Sequence, residues 1–266
     1  MAAYHPKKRL GQHFLVSESI VNRIIDLVDP SNDKTIIEIG PGRGALTGPL
    51  AKSGADFIAI EFDSDVIGYL KKLLSPYPNA RLLNLDFLLF EPGSDHFTTF
   101  TLVGNLPYNI TSPVIDWCVR HHRMIDRCVF MVQQEMARRI TASPPSKDWS
   151  PLAIFTQLWF EVKYCFDVSS EHFRPRPKVT SAVIELVARG SAVLDIPDVF
   201  EEVVRQAFAH RRKLLVNNLV PSIIPDSTTA SSIWDKLSLD RSVRAEELPT
   251  DVFLALTREL ISRNIL

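Results

Sequence analysis

Four short stretches hold residues whose type and spacing can do chemistry. Glu38-Ile39-Gly40-Pro41-Gly42-Arg43-Gly44 leads from a β-branched apolar segment into a turn. Glycines there let the backbone bend sharply and approach a ligand closely. Glu61 closes the next apolar segment, where a carboxylate can accept hydrogen bonds from both hydroxyls of a ribose. Asp86 and Phe87 stand past a third segment, and the pair has two readings. The acid can take an adenine amino group and the aromatic can cover the ring, or the acid caps a helix and the aromatic is core. Asn105-Leu106-Pro107-Tyr108 follows a fourth segment.

The first three features point to a nucleoside-containing cofactor. They do not by themselves exclude a dinucleotide, whose fingerprint also pairs glycines with a distant acid. Two details weaken that alternative. Pro41 removes a backbone N–H where a pyrophosphate needs donors, and the glycines are spaced GxGxG rather than GxGxxG. S-adenosylmethionine has no pyrophosphate and tolerates both. The fourth stretch fits an aromatic amine as substrate. Such a nitrogen is a poor nucleophile because its lone pair spreads into the ring. Accepting its two N–H bonds, on the Asn105 side-chain oxygen and a backbone carbonyl nearby, localises that lone pair. Pro107 holds the carbonyl in place, and Tyr108 offers a face for a base to stack on. No strong base is required, because the methylated nitrogen is cationic and loses its proton readily. Positioning and electrostatic complementarity carry the step, and the base must leave its own stack to reach the site.

The elements that must position these residues follow from hydrophobic periodicity. Strands are expected over 35–39, 57–61, 81–85, 101–104, 127–132, 162–168 and 180–187. Helices are expected over 17–28, 45–52, 63–74, 111–122, 134–141 and 151–160, with Ser17, Asp63 and a Thr/Ser pair at 111–112 as caps. Alternating strands and helices predict an α/β fold with a largely parallel sheet covered on both faces. The last two strands are joined by a loop alone, which makes one of them an antiparallel addition. Beyond residue 190 only helical patterns appear, over 197–209, 211–218, 228–237 and 249–262. The expected organisation is a Rossmann-like domain over 1–190 and a small all-helical domain over 191–266.

The ordered segments RLGQHFL, IIEIGPGRGALT, IEFDSDV, LDF, VGNLPYNITSPV, MVQQEMARRI, HFRPRPKVTSAV and FAHRRKLLVNNL resemble the KsgA-type ribosomal RNA adenine dimethyltransferases over nearly the whole chain. The resemblance implies a class I methyltransferase fold and S-adenosylmethionine as cofactor. It implies transfer of two methyl groups to each of two adjacent adenines near the 3′ end of small-subunit rRNA, on a pre-30S particle. Cofactor contacts are implied at His13, Leu15, Gly40, Gly42, Glu61, Asp86, Phe87 and Asn105. The substrate amine is implied at Asn105, Leu106, Pro107 and Tyr108, with Phe173 covering the other face of the target base. His13 stands where many family members carry asparagine.

Lys7, Lys8 and Arg9, Arg174, Arg176 and Lys178, and Arg211, Arg212 and Lys213 are the basic groups expected to meet RNA, with Arg138 and Arg139 on another helix. Each group alone is more often a solvated face than an RNA contact, and three cations opening a helix at 211–213 oppose its dipole. The net charge of −1 requires any RNA-binding face to be local. Three cysteines without a CxxC pair read as buried thiols in a reducing compartment, and no metal spacing appears. No apolar run approaches the roughly 20 residues of a membrane span. The expectation is a cytoplasmic monomer with no metal and no membrane partner. A large-subunit rRNA adenine methyltransferase of the antibiotic-resistance type and a non-catalytic ribosome assembly factor stay open as alternatives, with a nicotinamide enzyme a distant further one.

Overall fold

The computed structural model describes residues 13–94, 98–190 and 195–266. These fall into two compact units. The first holds the described residues through Arg138 and those from Trp159 to Gly190; the second holds Arg139–Leu158 and the described residues from 195 onward. The sequence reading drew one line, at residue 190. The structure adds the segment Arg139–Leu158 to the helical unit, which is therefore drawn from two separate stretches of the chain.

The first unit is built on β1 (Phe14–Leu15), β2 (Thr35–Ile39), β3 (Asp56–Glu61), β4 (Ala80–Asn84), β5 (Phe100–Asn105), β6 (Ile125–Gln133), β7 (Phe160–Val168), β8 (Phe173–Arg174) and β9 (Ser181–Ala188). Seven of these form a mixed sheet in the order β4-β3-β2-β5-β6-β9-β7. β9 pairs antiparallel with both β6 and β7, so it alone runs against the other six, as the short connection before it requires. β2 lies between β3 and β5, parallel to both. The chain turns to one side after β2 and returns to the other for β5, which makes the β2–β5 boundary the switch point where doubly wound sheets bind ligands. Ile36, Ile37, Phe57, Ile58, Leu102 and Val103 are fully buried, as expected for strands covered on both faces.

The helices of this unit are α1 (Glu18–Val28), α2 (Thr47–Lys52), α3 (Ser64–Leu74), α4 (Thr111–Arg120) and α5 (Gln134–Ile140), the last running across the boundary between units. In α1, Ile20, Val21, Ile24 and Val28 recur at helical spacing and are buried. Asp63 caps α3 by accepting from the Asp65 N–H at 3.2 Å. Two expected caps are corrected. Ser17 has the extended backbone of a cap, but its hydroxyl bonds Ser19 Oγ at 3.0 Å. The cap position of α4 is Ile110, and the Thr111 hydroxyl instead bonds back to the Pro107 carbonyl at 3.5 Å.

The second unit contains most of α6 (Pro151–Trp159), with α7 (Phe200–Ala207), α8 (Leu215–Leu219), α9 (Ser227–Leu237) and α10 (Thr250–Ser262), and no strand among its described residues. Trp149 and Trp234 are buried here, and the Trp149 indole donates to the Leu248 carbonyl at 2.9 Å. Arg211, Arg212 and Lys213 do not open α8. They occupy the turn before it, and the helix starts at Leu215, which spares its positive end three cations.

Candidate active site

The carboxyl ends of β2, β3, β4 and β5 open on one cavity of about 250 Å³. After β2 the chain enters the glycine turn with Gly40, Gly42 and Gly44 all in the left-handed region, at φ 64°, 55° and 77°. Side chains rarely adopt that region. A Cβ on Gly40 would meet nothing within 4 Å, so the backbone there borders open space. A Cβ on Gly42 would stand 3.0 Å from the Phe14 ring.

Glu61 lies at the end of β3 and is 5% exposed. Its Oε2 accepts from the Gly42 N–H at 2.9 Å and its Oε1 from the Asp63 N–H at 2.7 Å. These bonds fix the carboxyl plane, and each oxygen retains a second lone pair for a ligand hydroxyl. Burial raises its pKa above the ordinary carboxylate value, and the two N–H donors oppose that rise.

Asp86 and Phe87 fill the structural roles of cap and core without leaving the cavity wall. Asp86 accepts from the Leu88 N–H at 3.0 Å as the cap of a 3₁₀ turn, and Phe87 packs at 4.6 Å from the Trp117 ring. Both still line the cavity. A capping aspartate has acceptor positions to spare, and a buried ring can present one edge to a ligand.

Asn105 ends β5, and Leu106, Pro107 and Tyr108 follow it along the cavity wall. The Asn105 Nδ2 donates to the His13 carbonyl at 2.8 Å. A carbonyl can only accept, so this bond sets which end of the amide is nitrogen. His13 in turn places its Nδ1 2.8 Å from the Pro175 carbonyl and stacks on Tyr108 with ring centroids 5.8 Å apart. Facing a carbonyl, Nδ1 carries the proton. The Tyr108 hydroxyl lies 3.1 Å from Ser181 Oγ on β9, and burial raises the phenol pKa.

Of the site residues named from sequence, His13, Leu15, Gly40, Gly42, Glu61, Asp86, Phe87, Asn105, Leu106, Pro107 and Tyr108 border this one cavity. Phe173 does not. It pairs with Leu15 across the β1–β8 ribbon, and that register turns its ring into the core, where it is 1% exposed. Arg174, at the end of β8, and Arg176 and Lys178, on the loop after it, are exposed, and the His13–Pro175 bond ties this loop to the cavity wall. Lys7, Lys8 and Arg9 lie outside the described residues. Among the described residues no cluster of metal-ligating side chains occurs.

Three residues that the sequence reading did not single out also belong to the site. Glu38, next to last in β2, lines the cavity, is buried, and accepts from Thr47 Oγ1 at 2.6 Å. Burial pushes its pKa up to about 8, against the Thr47 bond, with the nearby Glu61 charge adding to the rise. The signal was an acid inside an otherwise apolar strand. Phe62, 60% exposed, offers a ring at the cavity beside Glu61. Ser181, the partner of Tyr108, carried no signal.

A doubly wound sheet with a glycine turn, a buried acid on the neighbouring strand and an Asn-Leu-Pro-Tyr tetrad at its switch point defines a Rossmann-like class I methyltransferase. The family model for ribosomal RNA adenine dimethylases matches residues 4–261, and the chain belongs to that family. The ribosomal RNA small subunit methyltransferase A of Sulfurihydrogenibium sp. is 36% identical over 253 residues, 94% of each chain. Among solved structures, a dimethyladenosine transferase from Plasmodium falciparum is 26% identical with a TM-score of 0.81, covering 95% of this chain and 98% of that one. The 23S rRNA methyltransferase ErmE is 28% identical with a TM-score of 0.75, covering 93% and 99%.

Proposed function

We propose that the protein transfers methyl groups from S-adenosylmethionine to the exocyclic amino groups of two adjacent adenines near the 3′ end of small-subunit rRNA, on an assembling pre-30S particle in the cytoplasm, as a monomer. One observation carries the chemistry: a single cavity joins the Glu61 carboxylate to the Asn105–Tyr108 tetrad. The residues present fit the cofactor. Glu61 holds lone pairs toward the cavity, Gly40 leaves room beside the turn, and Asp86, Phe62 and Phe87 supply an acceptor and aromatic surfaces for an adenine.

S-adenosylmethionine supplies an electrophilic methyl group on its sulfonium. The chain's own residues do the rest. Glu61 orients the ribose, and Asp86 accepts from the cofactor's adenine amino group. Asn105, with its nitrogen committed to His13, turns its oxygen to accept one N–H of the substrate amine. The Leu106 carbonyl accepts the other, and Tyr108 stacks under the target base, held at its hydroxyl by Ser181. Arg174, Arg176 and Lys178 set the RNA backbone at the rim, and Arg211, Arg212 and Lys213 do so on the helical unit.

The small-subunit assignment rests on the segment FAHRRKLLVNNL and on the naming of the 36%-identical relative. The test is nucleoside mapping after methylation of purified small and large subunits lacking dimethyladenosine. Product at two adjacent adenines of small-subunit rRNA supports the assignment, whereas product on large-subunit rRNA moves it to the resistance-type activity. Cofactor binding with no product on properly staged particles leaves an assembly factor.

A further inference from the structure

A second cavity, of about 240 Å³, lies within the helical unit and is lined by Arg139, Ser150, Pro151, Arg205, Phe208 and Arg211. Three guanidinium groups around one space repel each other unless counter-charge stands beside them. Arg205 pairs with Glu201 at 2.6 Å, and Arg211 stands 4.0 Å from Glu246 while bonding the Lys147 and Trp149 carbonyls. The guanidinium of Arg139, half-buried near the end of α5, has no hydrogen bond or ion pair among the described residues. Three arginines against two glutamates leave the lining net positive.

Ser150 stands at the cap position of α6, since the Ile154 N–H bonds its carbonyl at 3.0 Å. A serine there ordinarily accepts from a first-turn N–H through its hydroxyl. This hydroxyl does not. It is buried, with Ser150 5% exposed, and has no hydrogen-bond partner in the protein. Pro151 brings no N–H, and the N–H groups of Leu152 and Ala153 have no acceptor within the helix. One cavity therefore gathers an unpartnered buried hydroxyl, the positive end of a nine-residue helix and three guanidinium groups. Every one of these can donate. Their complement is a tetrahedral anion with several acceptor oxygens.

We infer that this cavity binds a phosphate group, held by the Ser150 hydroxyl, the start of α6 and the guanidinium groups of Arg139, Arg205 and Arg211. Its source is a backbone phosphate of the substrate RNA, a step that rests on the RNA-methylating reading above. Free inorganic phosphate is the other source of the same chemistry. The site is separate from the cofactor cavity, none of whose lining residues it shares.

The test uses the full chain and the variants Ser150→Ala and Arg139→Gln. Ser150→Ala removes a hydroxyl that has no partner in the protein, so the folded state keeps its bonds, and thermal unfolding checks both variants. Inorganic phosphate is titrated at constant ionic strength and followed by its ³¹P line width. The parent should show saturable broadening, with affinity about tenfold weaker in each variant. No saturable broadening in the parent, or equal broadening in all three proteins, overturns the proposal. A second arm measures binding of a small-subunit rRNA fragment against salt. For a backbone phosphate, Arg139→Gln lowers the salt slope by about one, and Ser150→Ala weakens binding with the slope unchanged. Phosphate binding lost with RNA binding intact assigns the site to the free anion. A parent that binds phosphate but methylates no rRNA refutes the functional reading and leaves this site standing.

Discussion

The Asn105 side-chain nitrogen donates to the His13 backbone carbonyl across 2.8 Å, linking the end of β5 to the segment that leads into β1. His13 extends the link to the Pro175 carbonyl, so the tetrad and the arginine-bearing loop share one support. The amide oxygen of Asn105 is thereby the end available to a substrate amine. Rates should therefore be more sensitive to the Asn105 amide than to the charge of the rim.

Glu61→Gln should weaken S-adenosylmethionine binding by about 10- to 100-fold, measured by isothermal titration calorimetry. The glutamate oxygens face two backbone donors, Gly42 N–H and Asp63 N–H. An amide presents only one oxygen, so one donor would meet an NH₂ group. Unchanged affinity would remove Glu61 from the cofactor site.

The fold was legible where local pattern and tertiary demand agree. The seven main strands follow from apolar runs, and the turn at Gly40–Gly44 follows from glycines that the structure holds at positive φ. Features set by competition between neighbours were not legible. Ser17 and Thr111 are good capping residues, but Ser19 and the Pro107 carbonyl take their hydroxyls. The two-residue strands β1 and β8 are too short to show a period. Their pairing decides that Phe173 is core, a fact that the FRPRPKV segment does not display. The placement of Arg139–Leu158 with the helical unit likewise depends on contacts remote in sequence.

Glu38 should make stability fall with rising pH. Its folded pKa is about 8 against an ordinary value of 4.5. Between those values the folded chain holds a proton that the unfolded chain has released. The stabilisation is complete below about pH 4.5, is lost as pH rises, and levels off above about 8. Glu38→Gln keeps an acceptor for Thr47 and does not titrate. In denaturant unfolding from pH 5 to 9 its stability should gain on the parent by on the order of several kcal/mol. Parallel profiles would show that Glu38 does not carry the proton.

Tyr108 should act through its ring more than its hydroxyl. Tyr108→Phe loses the 3.1 Å contact with Ser181 and should lower kcat/KM for RNA only a few-fold. Tyr108→Ala removes the stacking face and should lower it by about 10- to 100-fold. Equal losses in both variants would assign the residue to positioning through Ser181 instead.

The most direct measurement is transfer of radiolabelled methyl from S-adenosylmethionine to small subunits lacking dimethyladenosine, by the parent and by Asn105→Ala side by side. RNA and cofactor binding are measured on the same samples. The account predicts dimethyladenosine at two adjacent positions with the parent, and a rate lower by about a hundredfold or more in the variant while RNA binding persists. Methylation by Asn105→Ala at the parental rate would contradict it.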